Sequence, residues 1–104
     1  MTPFAEGQEE RIRKAVEERM MAYRGEANDI AFYSTTNNPE NAMHVVQIGV
    51  SILATKWGIG YPGGSFVKAV VDNDLMQSFG RADHINSNCI RFYVSLLYNQ
   101  SYVS

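Results

Sequence analysis

The chain has 104 residues, 45% hydrophobic and 19% charged, with a formal net charge of −2. That length supports one modest hydrophobic core rather than two, so the expectation is a single domain over 1–104. The charge balance lacks the basic surplus that duplex DNA or RNA phosphates demand, which argues against direct duplex binding.

Thr2-Pro3 reads as a helix start, with Thr2 as cap and Pro3 in the first turn. From Glu6 to Tyr23 the sequence is rich in Glu, Arg, Lys and Ala, all good helix formers. Ile12, Val16, Met20 and Tyr23 fall on one face with Ala15 beside them. Glu9/Arg13 and Glu10/Lys14 stand in the favourable i,i+4 orientation on the wet side. The charged side reads as a solvated outer face, with a protein-binding surface as the alternative. Arg24 to Asn37 is less regular. Asn28-Asp29 can cap a short turn through Ile30–Tyr33, or the same IAFYS run can form a strand. A lone strand leaves its backbone unpaired, which favours helix or irregular structure.

Asn38–Trp57 is the centre of the expected fold. Asn38 caps, Pro39 fits the first turn, and nearly every later position is apolar or small. His44, Gln47, Ser51 and Thr55 make one narrow polar stripe. GIGYPGGS then ends the helix in a turn. Its glycines match neither GxxxxGK[ST] nor a Rossmann fingerprint, so a phosphate loop is the weaker interpretation. Ser65 is expected to cap a short apolar helix, FVKAVVDN. Asp74 with Gln77 resembles a capping box opening LMQSFGRA, with Leu75, Met76 and Phe79 on its inner face. Asp83 is expected to cap one last helix, HINSNCIRFYVSLLYN, followed by a short polar tail. The expected architecture is therefore all-α, a compact bundle of about five helices around 38–57.

The chemistry an enzyme needs is sparse. Cys89 is the single cysteine, so no internal disulfide can form, in keeping with a reducing cytosol. A spacing of five residues sets His84 and Cys89 on diverging helix faces, so Cys89 reads as a core thiol rather than half of a catalytic pair. No spacing suits a metal site, and neither cofactor nor metal is expected. The N-terminus lacks the apolar region of a signal peptide, and the central helix is too interrupted for a membrane span. A cytoplasmic, non-enzymatic protein is the expectation.

Asn73, Asp74, Arg81, Asp83, Asn86 and Asn88 gather at the two corners between short helices. They can serve as caps and turn residues. Alternatively, with Lys68 and Tyr98, they can form a ligand or partner site, Arg81 and Lys68 holding an anion and Tyr98, Tyr93 or Phe79 stacking on a flat group. The apolar central and last helices exceed what one thin outer helix covers, so a homo-oligomer joined through Asn38–Trp57 or Phe92–Tyr98 is also expected.

The segment from Pro62 to Asn99 resembles small proteins encoded by tailed bacteriophages and prophages. The resemblance rests on Gly63, Gly64, Phe66, Ala69, Val70, Asn73, Asp74, Leu75, Arg81, Ala82, Asp83, Asn86, Tyr98 and Asn99. It implies a phage origin, hence the cytoplasm of a bacterial host, and no catalytic activity. By analogy it implies an accessory protein that binds and blocks a host defence protein, as anti-CRISPR proteins do. The alternatives are an oligomeric sponge for a cyclic or signalling nucleotide, or a structural or regulatory phage protein. Beyond Lys56 only Lys68, Arg81 and Arg91 are basic, few for a multiply charged nucleotide.

Overall fold

The computed structural model describes residues 2–104. Its helices run in the order α1 (Gln8–Glu26), α2 (Ile30–Thr36), α3 (Pro39–Trp57), α4 (Ser65–Val71), α5 (Leu75–Arg81), α6 (His84–Ser87) and α7 (Ile90–Asn99). The all-α expectation holds, with seven helices among the described residues rather than about five.

α3 starts where its sequence says it should. The Asn38 side chain accepts from the amides of Glu40 at 2.9 Å and Asn41 at 3.3 Å, with Pro39 in the first turn. It stops at Gly58, whose φ of 69° is the left-handed conformation that closes helices. Around it pack α1, α2, α4, α6 and α7. Val45, Ile52 and Leu53 are fully covered. Gly49 is what lets three helices meet closely. A Cβ built there would sit 2.7 Å from Val16 Cγ1 on α1 and 3.2 Å from Leu96 Cδ2 on α7.

α1 buries Ile12, Val16 and Met20 as its periodicity predicts. Its start differs. Thr2 caps nothing; its backbone pairs with Ile59 in an isolated parallel bridge, donating to Gly58 O at 3.1 Å and accepting from Gly60 N at 2.8 Å. The residue before a proline is pushed towards extended backbone, and Thr2 precedes Pro3. Gly7, at φ 73°, then resets the chain so that the helix begins at Gln8. The close charge pair on this helix is Glu10–Arg13 at 3.5 Å, three residues apart rather than four.

IAFYS is helical. Asp29 caps α2 through the Phe32 amide at 3.2 Å, and Phe32 joins a nest of rings with Tyr23 at 4.8 Å and Phe92 at 4.9 Å. Gly64 rather than Ser65 holds the cap position of α4. The expected last helix is two helices, broken at Asn88–Cys89. Asp83 caps the first piece through the Asn86 amide at 2.7 Å, and Cys89, at φ −117° and ψ 7°, leads into the second.

α5 departs furthest from expectation. Leu75, Met76 and Phe79 point outward, Met76 being 86% exposed, and Ser78 is the buried position. The reason is local. α4 already turns Phe66, Val67, Ala69 and Val70 into the core, and α5, which lies on α4, finds no apolar surface left to cover.

Candidate functional site

The predicted corner residues do not form one site. Asp74 caps α5 through Gln77 N at 3.0 Å, and Asp83 caps α6; both roles are structural. Asn86 is buried, and its Oδ1 accepts the Tyr93 hydroxyl at 2.8 Å, so its side chain belongs to the core. Arg81 is exposed and its Nε donates to Gln77 Oε1 on its own helix at 2.9 Å. Lys68 is exposed on α4. Asn73 sits at φ 60°, a left-handed turn residue between α4 and α5, a conformation asparagine tolerates better than most. Asn73 and Tyr98 do come together, on a shallow groove of about 250 Å³ that Lys56 and Val94 also line. There the Lys56 ammonium donates to the Leu97 carbonyl at 2.6 Å.

His44 lies beside the same corner. Its Nε2 is 3.7 Å from Asp83 Oδ2, beyond hydrogen-bond reach, and is buried with no hydrogen-bond partner among the described residues. Cys89 is fully buried, and burial first, with Asp29 and Asp83 nearby, pushes its thiol up to about 12. A thiol held that firmly protonated is a poor nucleophile. Tyr23 is likewise pushed up to about 12, by burial and then by donating to Asp29 Oδ2 at 2.7 Å. Among the described residues no group of three His, Cys, Asp or Glu side chains is placed to hold a metal ion. No helix among them is long and apolar enough to cross a membrane.

The most distinctive surface feature was not anticipated from sequence. Along the seam of α1 and α3 runs a furrow whose larger part, about 420 Å³, is walled by Met20, Met21, Ala42, Met43 and Val46. Arg13 and Gln47 line both this part and a second of about 260 Å³ that continues to Val50 and Ala54. Met43 to Ala54 spans ~16 Å of α3, three turns of helix. Met21 and Met43 are 67% and 64% exposed, so these flexible side chains stand at the mouth rather than under it. The signal was in the sequence as the pair Met20-Met21, of which the helical period buries only the first.

Comparison with protein-family models, with curated proteins and with solved structures gives no match to this chain.

Proposed function

We propose that the protein acts by stoichiometric binding rather than catalysis, taking an apolar helix of a protein partner into the α1/α3 furrow, and that this partner is a component of bacterial antiviral defence. The furrow carries the first half of the proposal. Its length suits about three turns of a guest helix, and its methionine walls can repack around side chains of several shapes. Arg13 and Glu17 on its rim offer charges of both signs to orient the guest. The defence assignment rests on the resemblance of residues 62–99 to phage-encoded proteins. The nucleotide sponge is the weaker alternative, since few basic side chains follow Lys56, whose ammonium is taken by the Leu97 carbonyl, and Arg81 commits its Nε to Gln77.

The test is phage plating on hosts that each carry one defined defence system, CRISPR-based systems included. The wild-type chain restores plating on at least one of them, and Met21→Glu or Met43→Glu, folded but charged in the furrow, does not. Restoration by both variants as well as wild type removes the furrow from the mechanism. No restoration in any system, with a rise in melting temperature on adding a cyclic nucleotide, moves the function to the sponge.

A further inference from the structure

We infer that the helix received by the α1/α3 furrow is a basic one, its apolar stripe flanked by lysine or arginine. This inference rests on the furrow being the binding site and adds the chemistry of the guest. As a sequence α1 is neutral: Glu9, Glu10, Glu17, Glu18 and Glu26 balance Arg11, Arg13, Lys14, Arg19 and Arg24. The fold separates these charges. Arg11 donates to Glu6 O and Ser104 O, and Arg19 to Gln100 Oε1 and Asn99 O. Arg24 turns onto α2, where its guanidinium donates to Thr36 Oγ1 and lies 4.4 Å over the Tyr33 ring. Three of the five bases are thereby drawn away from the furrow.

What remains along the furrow is acidic. Glu9 and Glu17 line it, ~12 Å apart along α1. Arg13, the one cation in its lining among the described residues, lies 3.5 Å from Glu10 and is shared with that carboxylate. Lys14 lines neither part, and the α3 side is apolar apart from Gln47 and Ser51. Glu9 and Glu10 stand in the first turn of α1, where the helix dipole also favours them. Glu17, in the helix interior, has no such role. A guest that covers the methionines also removes water from beside these carboxylates, which strengthens whatever charge interaction they make. An acidic guest would set like charges together there, and a neutral one would leave the carboxylates unmatched. Lysines or arginines seven or eight residues apart on the guest fall on one side of its helix and match the Glu9–Glu17 spacing, while the apolar stripe beside them fills the furrow.

The probes are three synthetic peptides of ~18 residues, long enough to form a helix, that share one leucine stripe and carry Lys, Gln or Glu at the flanking positions. Fluorescence anisotropy of each labelled peptide, titrated with the full chain, reads binding at ~20 mM and ~500 mM salt. At low salt the Lys peptide binds at least tenfold tighter than the Glu peptide, with the Gln peptide between them, and the gap narrows at high salt. Glu9→Lys combined with Glu17→Lys, both at exposed positions, inverts that order. Met21→Gln combined with Met43→Gln, which adds no charge, weakens all three peptides. Three peptides bound alike by wild type, and all weakened by the glutamine variant, overturn the basic guest and keep the furrow. A Lys peptide bound equally well by wild type and by the glutamine variant overturns both, because it then adsorbs to acidic surface outside the furrow. A Glu peptide that binds best overturns the inference, as does the absence of binding by any peptide at ~1 mM chain, while phage plating still judges the furrow separately.

Discussion

The Tyr93 hydroxyl donates to the side-chain oxygen of Asn86 across 2.8 Å, and both residues are buried. This bond joins α6 to α7 where an uninterrupted helix was expected. It gives the amide a partner it would lack in the core, and Tyr93 in turn packs on Phe66, centroids 5.8 Å apart, and on Phe92 at 5.9 Å. Tyr93→Phe keeps the ring and strips the donor, leaving Asn86 Oδ1 without its one recorded partner. The expected cost is ~1–3 kcal/mol, the desolvation penalty of an abandoned buried acceptor. Thermal melting reads it as a fall of ~4–8 °C for each kcal/mol. An unchanged midpoint would mean that water or another donor replaces the hydroxyl.

Gly49→Ala adds one methyl where α1, α3 and α7 touch. Helix propensity alone favours alanine by up to ~1 kcal/mol. Here the added carbon meets Val16 Cγ1 at 2.7 Å and Leu96 Cδ2 at 3.2 Å, and both side chains are buried with little room to yield. Overpacking costs ~1–3 kcal/mol and wins. The expected result is a net loss of stability in chemical denaturation with an unchanged m value. Gly80→Ala, facing open space on α5, is expected to raise stability instead, so the pair measures packing against propensity in one protein.

Alkaline pH should destabilise the fold through its buried titratable groups. The Cys89 thiol and the Tyr23 hydroxyl are both pushed up to about 12 by burial, from ordinary values of 9.0 and 10.0, and Tyr93 is pushed higher still. In each case the folded state holds its proton more tightly than the unfolded chain. Their contribution is complete below pH ~9 and declines as pH rises from there, because the unfolded chain releases protons that the fold retains. Melting temperature against pH should therefore be flat near neutrality and fall above ~9, and Cys89→Ala should delay the onset, its cavity cost aside. The native thiol should also resist disulfide reagents until the chain unfolds.

Much of this fold was legible because it is encoded locally. Asn38, Asp29, Asp74 and Asp83 cap the helices their positions announce, and the apolar period of α1 names its buried residues. What was hidden depends on partners far away in the chain. Nothing within HINSNC shows that Asn86 will be taken by Tyr93 and Asn88 by Thr35, yet those bonds stand where the helix breaks. α5 has an ordinary amphipathic pattern, and only the filled surface behind α4 turns that face to water. The candidate site suffered in the same way. Asp74, Asp83 and Asn86 are polar for reasons of capping and core satisfaction, whereas the furrow needs α1 and α3 laid side by side, where Met20, which the helical period buries, meets the exposed Met21 and Met43.

The final prediction concerns residues 100–104, read from sequence as a plain polar tail. Gln8 is buried at the start of α1, its Oε1 accepting from Ala5 N at 2.8 Å while its Nε2 donates to Val103 O at 2.9 Å and Tyr102 Oη at 3.0 Å. Arg11 adds a bond to Ser104 O at 2.6 Å, and Arg19 binds Gln100 at 3.0 Å, so α1 holds the segment along its length. Tyr102 lands edge-on against Trp57 with centroids 5.0 Å apart. Trp57 is the only tryptophan, so its fluorescence reports this contact without interference. Gln8→Ala removes one acceptor and two donors at once. Amide exchange at Val103 and its neighbours should accelerate, and Trp57 emission should shift to the red as water replaces the tyrosine ring. Arg11→Ala, which removes one exposed bond to this segment and a second to Glu6 O, should do the same more weakly. If Gln8→Ala lowers global stability with no change in Trp57 emission, then the tail is held by Val103 packing on the core rather than by the glutamine.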